Sequence, residues 1–525
     1  MTFPDVITTG LFGWTLVGVV LGVVVGCIPG LTGAMVIALT LPLTFGMTGQ
    51  DALALLVAIY VGSVSGGLIS ATLLKIPGTP ASLMTTLDGY PMAQQGRPQR
   101  ALGLGIIASL VGGIFSWVVL ALMARPMALW STQIGPADMF SLVVLALVLI
   151  AVISQESLTA GLFSGSLGVL CAMPGMHPAS GTTRLTFGIQ ELGDGFRLLP
   201  VLIGLFAVSQ LLRDVANVSD AGDGSAPSDG SDIGDGGRIG EGDEAGDASG
   251  TRRGSLAGAS TESDGLPGVA VWLASIPNLM RSSFIGTIVG ILPGVGANIG
   301  SILSYAAART RSKTPDAFGT GCDEGIVASE AANNATVGGA LIPLISLGIP
   351  GSVIDAILLG AFVIHGLQPG PLLFQNNPEV VQTISVSYLL GNIIMCGFML
   401  VSARWLVALA RIPKGLLVPV ILTFCVLGSY ALANRMFDVW VMVGFGVLGL
   451  LFDRLKVPTA PFVIGFVLSP IAEENLCAAL MASGHQWSVF VRQPVSLSLL
   501  VLAAAICAVT LIRVSGRSNR AGGSD

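Results

Sequence analysis

The sequence predicts an all-α polytopic membrane protein with about 10–12 transmembrane helices in two repeated halves, some of them broken at Pro-Gly pairs. Three observations predict this fold class. The 525 residues are 52% hydrophobic and 10% charged, which is too little charge to cover a soluble protein of this size. Apolar runs long enough to cross a hydrocarbon core of roughly 30 Å recur along the chain. Two proline-glycine motifs also occur twice in the same order.

Continuous apolar runs predict the membrane-spanning helices. The clearest cover residues 11–28, 101–123, 384–401 and 495–512. They do not alternate between apolar and polar residues as the strands of a transmembrane β-barrel do. The first ten residues carry no Lys or Arg, and the first run continues into Pro-Gly rather than a small-residue cleavage site. We therefore expect no cleavable signal peptide and expect this run to stay as a membrane helix.

A segment of different composition divides the chain. Residues 214–264 hold 12 of the 30 acidic residues but only 3 of the 24 basic ones, and they are rich in Gly, Ser and Asp. Such a segment lacks the apolar content of a core, and the ligand spacing of an EF-hand is absent. We therefore interpret it as a disordered linker rather than a calcium site. The predicted organisation is a first transmembrane half at 1–213, a linker at 214–267, and a second half with a short basic tail at 268–525.

The two halves share a pattern of Gly and Pro. The segment GVVVGCIPGLTGA places Gly22, Gly26, Pro29 and Gly30 at the spacing G-x3-G-x2-P-G, and GTIVGILPGVGA repeats that spacing in the second half. Further along, GGLISATLLKIPGTPAS is matched by GGALIPLISLGIPGSV, in which Ile-Pro-Gly recurs at 349–351. Two matches in the same order indicate a duplicated unit, and we favour an inverted repeat over a parallel one.

Each Pro-Gly break in an apolar run frees backbone groups that need partners. Lipid cannot satisfy them, so such breaks lie where the backbone faces protein or a wet cavity. Paired half-helices expose amides that suit a carboxylate and carbonyls that suit a cation. A plain proline kink with glycines for close packing is the alternative. We favour a binding site because the breaks are paired between the halves and flanked by polar residues: Thr32, Thr79, Ser82, Asn298 and Ser352.

Polar residues at the entrance to an apolar run of the second half point to the same region. On a helix, Glu330, Asn333 and Asn334 would share one face, which is costly in a membrane unless they meet partners or water. Helix capping or interhelical hydrogen bonding is the simpler alternative. Lys75, beside the first Ile-Pro-Gly, has two equally favoured roles: an anion partner, or a side chain that reaches the membrane interface. A further polar set is interpreted as a loop rather than a site: Asp88, Tyr90, Arg97 and Arg100.

Basic residues outside the linker predict the orientation in the membrane. They lie in short polar gaps and in the tail, and the positive-inside rule predicts that most of them, with the C-terminus, are cytoplasmic. The residues are Arg97, Arg100, Arg309, Arg311, Lys313, Arg404, Arg411, Lys414, Arg454, Lys456, Arg513, Arg517 and Arg520.

Cysteine and histidine give no support for a metal site or a nucleophilic enzyme. The seven cysteines are scattered without a CxxC motif, and the three histidines are far apart. We interpret the cysteines as small buried residues. HExxH and GxSxG motifs are absent from the sequence. We therefore expect no catalytic residues, no firmly assigned metal and no cofactor, and an intramembrane enzyme or a channel of unknown substrate is kept only as an alternative.

Three longer segments carry a family resemblance: IPGTPASLMTTLDGYPMAQQGRPQRALGLGIIAS, EAANNATVGGALIPLISLGIPGS and PFVIGFVLSPIAEENL. With the two Pro-Gly breaks, they run across nearly the whole chain apart from the acidic linker. They resemble the large membrane subunit of tripartite tricarboxylate transporters, the TctA family. The long acidic linker is the main departure from the usual pattern of that family.

The resemblance implies a binding-protein-dependent secondary transporter in the prokaryotic cytoplasmic (inner) membrane, and no enzyme. Such subunits import citrate and other tricarboxylates or dicarboxylates, coupled to a gradient of Na⁺ or H⁺. The implied partners are a small four-span membrane subunit, an extracytoplasmic solute-binding protein that delivers the carboxylate substrate, and membrane lipid. No nucleic acid is expected.

The resemblance also implies substrate-binding positions, carried over motif by motif. We add Thr32 to them because it flanks the first break, and we expect the coupling cation near Asn298 and Asn334. The full set of expected substrate-binding residues is Gly30, Thr32, Pro77, Gly78, Thr79, Pro80, Ser82, Gly294, Asn333, Asn334, Pro350, Gly351 and Ser352.

Overall fold

The computed structural model describes residues 9–153, 158–177, 180–213, 265, 267–293, 296–409, 414–431 and 434–521. Within these residues the chain is almost entirely α-helical, with a single short β-hairpin. The predicted all-α polytopic membrane fold is thereby confirmed. The predicted linker at 214–267 lies outside the described residues except for 265 and 267, and so does Gly294.

The first half consists of helices joined by short turns and one hairpin. Its helices are α1 (Thr9–Gly26), α2 (Gly33–Thr40), α3 (Gly49–Leu74), α4 (Leu83–Gln94), α5 (Pro98–Ser131), α6 (Pro136–Ile153), α7 (Leu158–Ala172) and α8 (Leu198–Leu202, continued by a π-turn at Ile203–Val208). The antiparallel hairpin comprises β1 (Gly175–Met176) and β2 (Thr183–Arg184), and 3₁₀ turns lie at Leu41–Gly46, Pro80–Ser82 and Gln190–Asp194.

The second half repeats the alternation of long and short helices. Its helices are α9 (Val269–Ile291), α10 (Gly296–Arg311), α11 (Asp323–Leu347), α12 (Val353–Ile364), α13 (Pro371–Asn376), α14 (Pro378–Leu409), α15 (Lys414–Ala431), α16 (Met436–Arg454), α17 (Thr459–Ala482), α18 (Val489–Arg492) and α19 (Pro494–Ala521), with a 3₁₀ turn at Pro315–Ala317.

Six helices in the described part are long and apolar enough to cross a membrane. They are Thr9–Gly26, Gly49–Leu74, Pro98–Ser131, Pro378–Ala403, Met436–Arg454 and Thr459–Ala482. Shorter apolar helices accompany them, which is what breaks within apolar runs produce. Each of the four apolar runs singled out in the sequence falls largely within one helix, namely α1, α5, α14 or α19.

Helices α3 and α11 form the centre of the bundle. Residues 52–72 of α3 and 325–347 of α11 are all buried. Each central helix has a glycine-rich neighbour, α1 or α9, that packs tightly along it. A Cβ on Gly22 would overlap the main-chain oxygen of Ile59, and one on Gly286 would overlap that of Ala332. Glycine therefore permits the close helix approach in both halves, as it commonly does in membrane bundles.

Both central helices end at the Ile-Pro-Gly motif in the same way. Lys75 and Gly348, which follow the two helices, have left-handed φ values of 58° and 72°. The chain then folds back, so that Gly78 lies against the main-chain oxygen of Gly26. In the second half, a Cβ on Gly351 would lie 2.9 Å from the oxygen of Gly290. The two breaks thus have matching contacts at the positions that the sequence motif aligns.

The central helices α3 and α11 run in opposite directions. Helix α4 runs parallel to α3, because Ser82 at its start lies beside Gly67 and Gly89 lies beside Thr72. The same helix runs antiparallel to α11, since Thr85 Oγ1 lies 3.1 Å from Ser329 Oγ while the later residue Asp88 reaches the N–H of Cys322 at 2.8 Å. Opposite directions for α3 and α11 follow from these two pairings.

The bundle has one end that is rich in basic residues. Arg100 pairs there with Asp323 at 2.6 Å, and α10 ends there with Arg309 and Arg311 in its last turn. We call this the basic end. Thr44 and His365, 3.1 Å apart, lie at the opposite end. Arg100, Arg309 and Arg311 at the basic end belong to the set of residues that the sequence predicts to be cytoplasmic.

The interpretation of Asp88, Tyr90, Arg97 and Arg100 as a polar loop is wrong. Asp88 and Tyr90 lie on α4, Arg100 lies in the first turn of α5, and Arg97 caps that helix. Asp88 is fully buried. The sequence misleads here because the groups that satisfy Asp88 and Arg100 come from the second half of the chain, in the stretch 319–323.

Candidate functional site

Four helix N-termini meet around one cavity of about 610 Å³. The helices are α2, α10 and α12, together with the 3₁₀ turn that leads into α4. Their first residues line the cavity, in the stretches 32–34, 79–81, 296–298 and 352–354. We call this space the central cavity. All four starts lie directly after the Pro-Gly breaks, so the breaks bring these N-termini together.

The hydroxyl residues at the breaks cap the helices that follow them. Thr32 Oγ1 accepts a hydrogen bond from the N–H of Met35 at 3.3 Å. Ser352 Oγ accepts one from the N–H of Asp355, also at 3.3 Å. At the break before α4, the N–H of Thr79 donates to Ser82 Oγ at 3.2 Å. A cap satisfies only some of the four free N–H groups of a helix start, so others are available to a ligand.

The helix directions give the central cavity a positive potential. Helices α2 and α12 lead from it toward the opposite end, whereas α4 and α10 lead toward the basic end. Each helix therefore presents its positive dipole end to the cavity. One N-terminus stabilises an anion by about 0.3–1 kcal/mol at an exposed site and by more where it is partly buried. Four around one space favour an anionic ligand.

Charged residues lie where the central cavity approaches the basic end. Arg213 and Asp453 line it and form an ion pair of 3.0 Å. Lys456, which also lines it, is exposed. Helix α8 starts with Leu198 packed on α12 and leads to Arg213, so this side faces the basic end. Two cations against one carboxylate leave a net positive charge at this opening.

The structure brings only some of the expected site residues to the central cavity. Those that line it are Gly30, Thr32, Thr79, Pro80, Asn298 and Ser352. The others in the described part are Pro77, Gly78, Ser82, Asn333, Asn334, Pro350 and Gly351, and they lie behind this lining or in the helix contacts around it. Gly294 lies outside the described residues. Contact of any of them with a substrate stays a prediction.

The residues behind the lining support the breaks. Ser82 is fully buried and donates to the main-chain oxygen of Thr79 at 2.7 Å. Gly78 and Gly351 permit the chain to fold back against α1 and α9. Pro77 and Pro350 precede them in the breaks, where no helical N–H is required. These residues therefore position the cavity-lining side chains.

The polar face of α11 is occupied by interhelical hydrogen bonds. Glu330 accepts hydrogen bonds from Thr85 at 2.5 Å and Ser109 at 3.2 Å. Asn334 Oδ1 accepts one from Ser65 at 2.7 Å. This geometry matches the simpler alternative weighed for these residues. Lys75 does not line the cavity, and its Nζ lies 5.6 Å from the centre of the Tyr90 ring.

Sequence reasoning missed several cavity residues. Tyr60, Ser63, Arg213 and Lys456 all line the cavity. Tyr60 OH lies 3.3 Å from Ser352 Oγ and so links α3 to the second break. A usable signal existed for Tyr60 and Ser63, since they lie within two helical turns before the Gly66-Gly67 pair. Nothing local marks Arg213 or Lys456.

The described residues enclose a second cavity. A cavity of about 420 Å³ lies between α5 and α14 and has a mainly apolar lining that includes Arg125 and Gln382. Within the described part, no group of three or more His, Cys, Asp and Glu side chains could hold a metal ion.

Comparisons with known proteins agree with the geometry. Residues 12–464 match the family described as the tripartite tricarboxylate transporter TctA family. An uncharacterized 52.8 kDa protein in the TAR-I ttuC' 3' region of Agrobacterium vitis is 32% identical over 507 residues, 97% of this chain and 94% of that protein. An uncharacterized protein in the TAR-II ttuC' 3' region of the same organism is 36% identical over 235 residues, 45% of this chain and 97% of that protein. No solved structure matches.

Proposed function

Since this chain belongs to the tripartite tricarboxylate transporter TctA family, we propose that it imports tricarboxylates or dicarboxylates by binding them in the central cavity. The convergence of four helix N-termini on one space is the observation that carries this proposal. The cavity volume of about 610 Å³ lies within the range of small-molecule sites. The described residues of its lining include the hydroxyls of Thr32, Thr79 and Ser352 and the amide of Asn298, which can bind a carboxylate.

The cavity provides the groups that a carboxylate requires. Free N–H groups at the helix starts can donate to carboxylate oxygens, and the hydroxyls of Thr79, Ser352 and Tyr60 can add further hydrogen bonds. Lys456 and Arg213 attract anions at the opening toward the basic end. A substrate with two or three carboxylates can contact several helix starts at once, which favours it over a monocarboxylate.

An inverted repeat explains how the cavity could face each side in turn. The opposite directions of α3 and α11 support it, as do the matching contacts at Gly78 and Gly351. In transporters built this way, one repeat moves against the other around a site at the repeat interface. The basic end would be cytoplasmic by the positive-inside rule, and the central cavity would then be open to the cytoplasm.

We assign the remaining parts of the system by family. The proposed location is the prokaryotic cytoplasmic membrane, and the proposed driving force is a gradient of Na⁺ or H⁺. A small four-span membrane subunit and an extracytoplasmic solute-binding protein complete the proposed assembly. The coupling cation was expected near Asn298, which lines the cavity, and Asn334, which does not.

Uptake of labelled carboxylates into proteoliposomes tests the proposal. The complete transporter would be assayed with citrate, malate and succinate, and with acetate as a monocarboxylate control. Loss of a hydrogen bond to a charged ligand costs about 1.5–3 kcal/mol, so Thr79→Val and Ser352→Ala should each raise the apparent Km by roughly tenfold or more. Ser498→Ala alters an exposed hydroxyl outside the cavity and serves as the control. Unchanged kinetics in both cavity variants would contradict the proposal.

A further inference from the structure

Asp355 is a buried carboxylate directly behind the central cavity. It is the third residue of α12 and follows Ser352, Val353 and Ile354, which line the cavity. Its exposed fraction is 0%. The carboxylate lies beside Ser352 and Gly351. The Ser352 hydroxyl and the N–H groups of Ser352 and Gly351 approach its oxygens, although these contacts lie outside standard hydrogen-bond geometry.

Helix capping places polar groups beside this carboxylate but does not neutralise its charge. The equivalent position in the first half is Ser82, which lies three residues after Thr79 as Asp355 lies three residues after Ser352. Ser82 accepts from the N–H of Thr79 and completes the cap without a charge. The Asp355 carboxylate lies beside the N–H groups of Ser352 and Gly351 in the same way, but it carries a charge. The two halves therefore differ at one point next to the cavity, where the second half carries a negative charge.

Among the residues that the structure describes, no basic side chain pairs with Asp355. The helices packed on α12 are α2, α3, α8, α11 and α17. Within their stated bounds they contain no Lys or Arg, and Arg213, at the end of the helical stretch that continues α8, pairs with Asp453 instead. Their ionisable side chains are Asp51, Tyr60, Asp323, Glu324, Glu330, Glu473, Glu474 and Cys477. Every charged member of this set is acidic. Asp355 forms no ion pair with a described residue.

A buried, unpaired carboxylate in a membrane protein is strongly unfavourable unless a cation neutralises it. We infer that Asp355 takes up the coupling cation, a proton or a sodium ion, beside the substrate. Ser352 Oγ lies beside the carboxylate and 3.3 Å from Tyr60 OH, so polar oxygens surround the place where the cation would bind. The inference rests on the proposed function and places the cation at Asp355 rather than at Asn298 or Asn334.

The position of Asp355 also explains why cation and substrate would bind together. An ionised Asp355 lies next to Ser352, so it repels a carboxylate that enters the cavity. Neutralising Asp355 removes this repulsion, and substrate binding in turn raises the affinity of Asp355 for the cation, because coupling between two sites is reciprocal. When Asp355 is ionised and no cation is bound, the cavity disfavours the anionic substrate. When a cation is bound at Asp355, the cavity accepts the substrate.

Asp355→Asn tests the inference, since Asn has the shape of the loaded side chain but cannot release a cation. In proteoliposomes, the variant should still exchange internal for external labelled citrate or malate. Gradient-driven accumulation should fall by about tenfold or more, which is a typical size for coupling between sites. Imposed pH and sodium gradients, applied separately to the wild type, identify which cation Asp355 takes up.

Glu330→Gln is the matched control, because Glu330 is an equally buried carboxylate that hydrogen bonds occupy. It should keep accumulation at the wild-type ratio of internal to external substrate. Accumulation by Asp355→Asn at the wild-type ratio would overturn the inference and leave the proposed function standing. Failure of the wild type to move or exchange any carboxylate would overturn both. Asp355→Glu keeps the negative charge and should retain accumulation. Loss of accumulation in Asp355→Asn but not in Asp355→Glu would therefore be due to the lost charge and not to misfolding.

Discussion

Ser65 on α3 donates a 2.7 Å hydrogen bond to Asn334 on α11 and so joins the two central helices. Both side chains are buried. The neighbouring Asn333 donates to the main-chain oxygen of Val64 at 3.4 Å. The contact between α3 and α11 is therefore polar, even though both helices are buried at the centre of the bundle. Interhelical hydrogen bonds of this kind hold helices together where no hydrophobic effect acts between them.

Ser65→Ala should lower the free energy of unfolding modestly. Interhelical hydrogen bonds in membrane proteins contribute about 0.6 kcal/mol on average and about 1.7 kcal/mol at most. Denaturation in mixed detergent micelles would measure the change. A double-mutant cycle with Asn334→Ala should show that the two effects are coupled. Ser402→Ala removes a buried hydroxyl that bonds within its own helix, so it should show no coupling to Asn334→Ala.

Gly78→Ala should destabilise the first break strongly. The added Cβ would overlap the main-chain oxygen of Gly26 and would lie 2.6 Å from Ser70 Oγ. Overpacking of this kind costs about 1–3 kcal/mol. The melting temperature of the purified protein measures the effect. Gly46→Ala is the control, since nothing lies within 4 Å of its added Cβ. Equal melting temperatures for the two variants would contradict the close approach of Gly78 to Gly26.

Asp88→Ala should loosen the segment 319–322 at the basic end. Asp88 Oδ1 accepts from the N–H groups of Gly319, Gly321 and Cys322 at 2.8, 3.0 and 2.8 Å. The substitution leaves these donors without the carboxylate and should cost about 3 kcal/mol. Hydrogen exchange at 319–322 should accelerate accordingly.

Asp88→Asn should have a smaller effect, because its amide oxygen can still accept from the three N–H groups. Its amide nitrogen would then face Tyr305 OH, which donates to Asp88 Oδ2 at 2.8 Å but can also accept. Tyr305→Phe removes that hydrogen bond alone. Exchange as fast in Asp88→Asn as in Asp88→Ala would show that Oδ1 does not hold this segment.

Lys456→Gln should weaken carboxylate binding at low salt. Lys456 is an exposed cation at the opening of the central cavity, so its contribution is electrostatic, amounts to at most about 1 kcal/mol and is screened by salt. Calorimetric titration at low and high salt would show a difference from the wild type only at low salt. Lys313→Gln, exposed and outside the cavity lining, is the matched control. A salt-independent loss would point to a structural role.

Local features of the chain explain what sequence reasoning could reach. Whether a segment enters the membrane depends on the composition of that one apolar run. Whether its helix breaks depends on the Pro and Gly residues within the run. The caps at Thr32 and Ser352 follow from the same local chemistry, because a hydroxyl before a helix start bonds within three residues. These features predicted the membrane fold, the breaks and four polar residues that line the central cavity, Thr32, Thr79, Asn298 and Ser352, while Gly30 and Pro80 came from the family resemblance.

Partners far apart in the chain explain what sequence reasoning missed. Asn334 was expected at the substrate site, and the sequence could not show that Ser65 bonds to its side chain or that Thr85 and Ser109 bond to that of Glu330. Asp88 belongs to a helix rather than a loop because a segment of the second half, 319–322, binds its carboxylate. A sequence shows that a polar residue in an apolar run needs a partner, but it does not show which residue supplies that partner.

By itself, the sequence determined that this protein lies in a membrane, that its helices break at two repeated motifs, and that it belongs to the TctA family. Only the tertiary structure decided that four helix starts share one cavity, that α3 and α11 run in opposite directions, and that Asp355 lies unpaired behind Ser352. The physical reason is that hydrophobicity and backbone restriction act between neighbours in the chain. The cavity, by contrast, arises where residues from distant parts of the chain pack together.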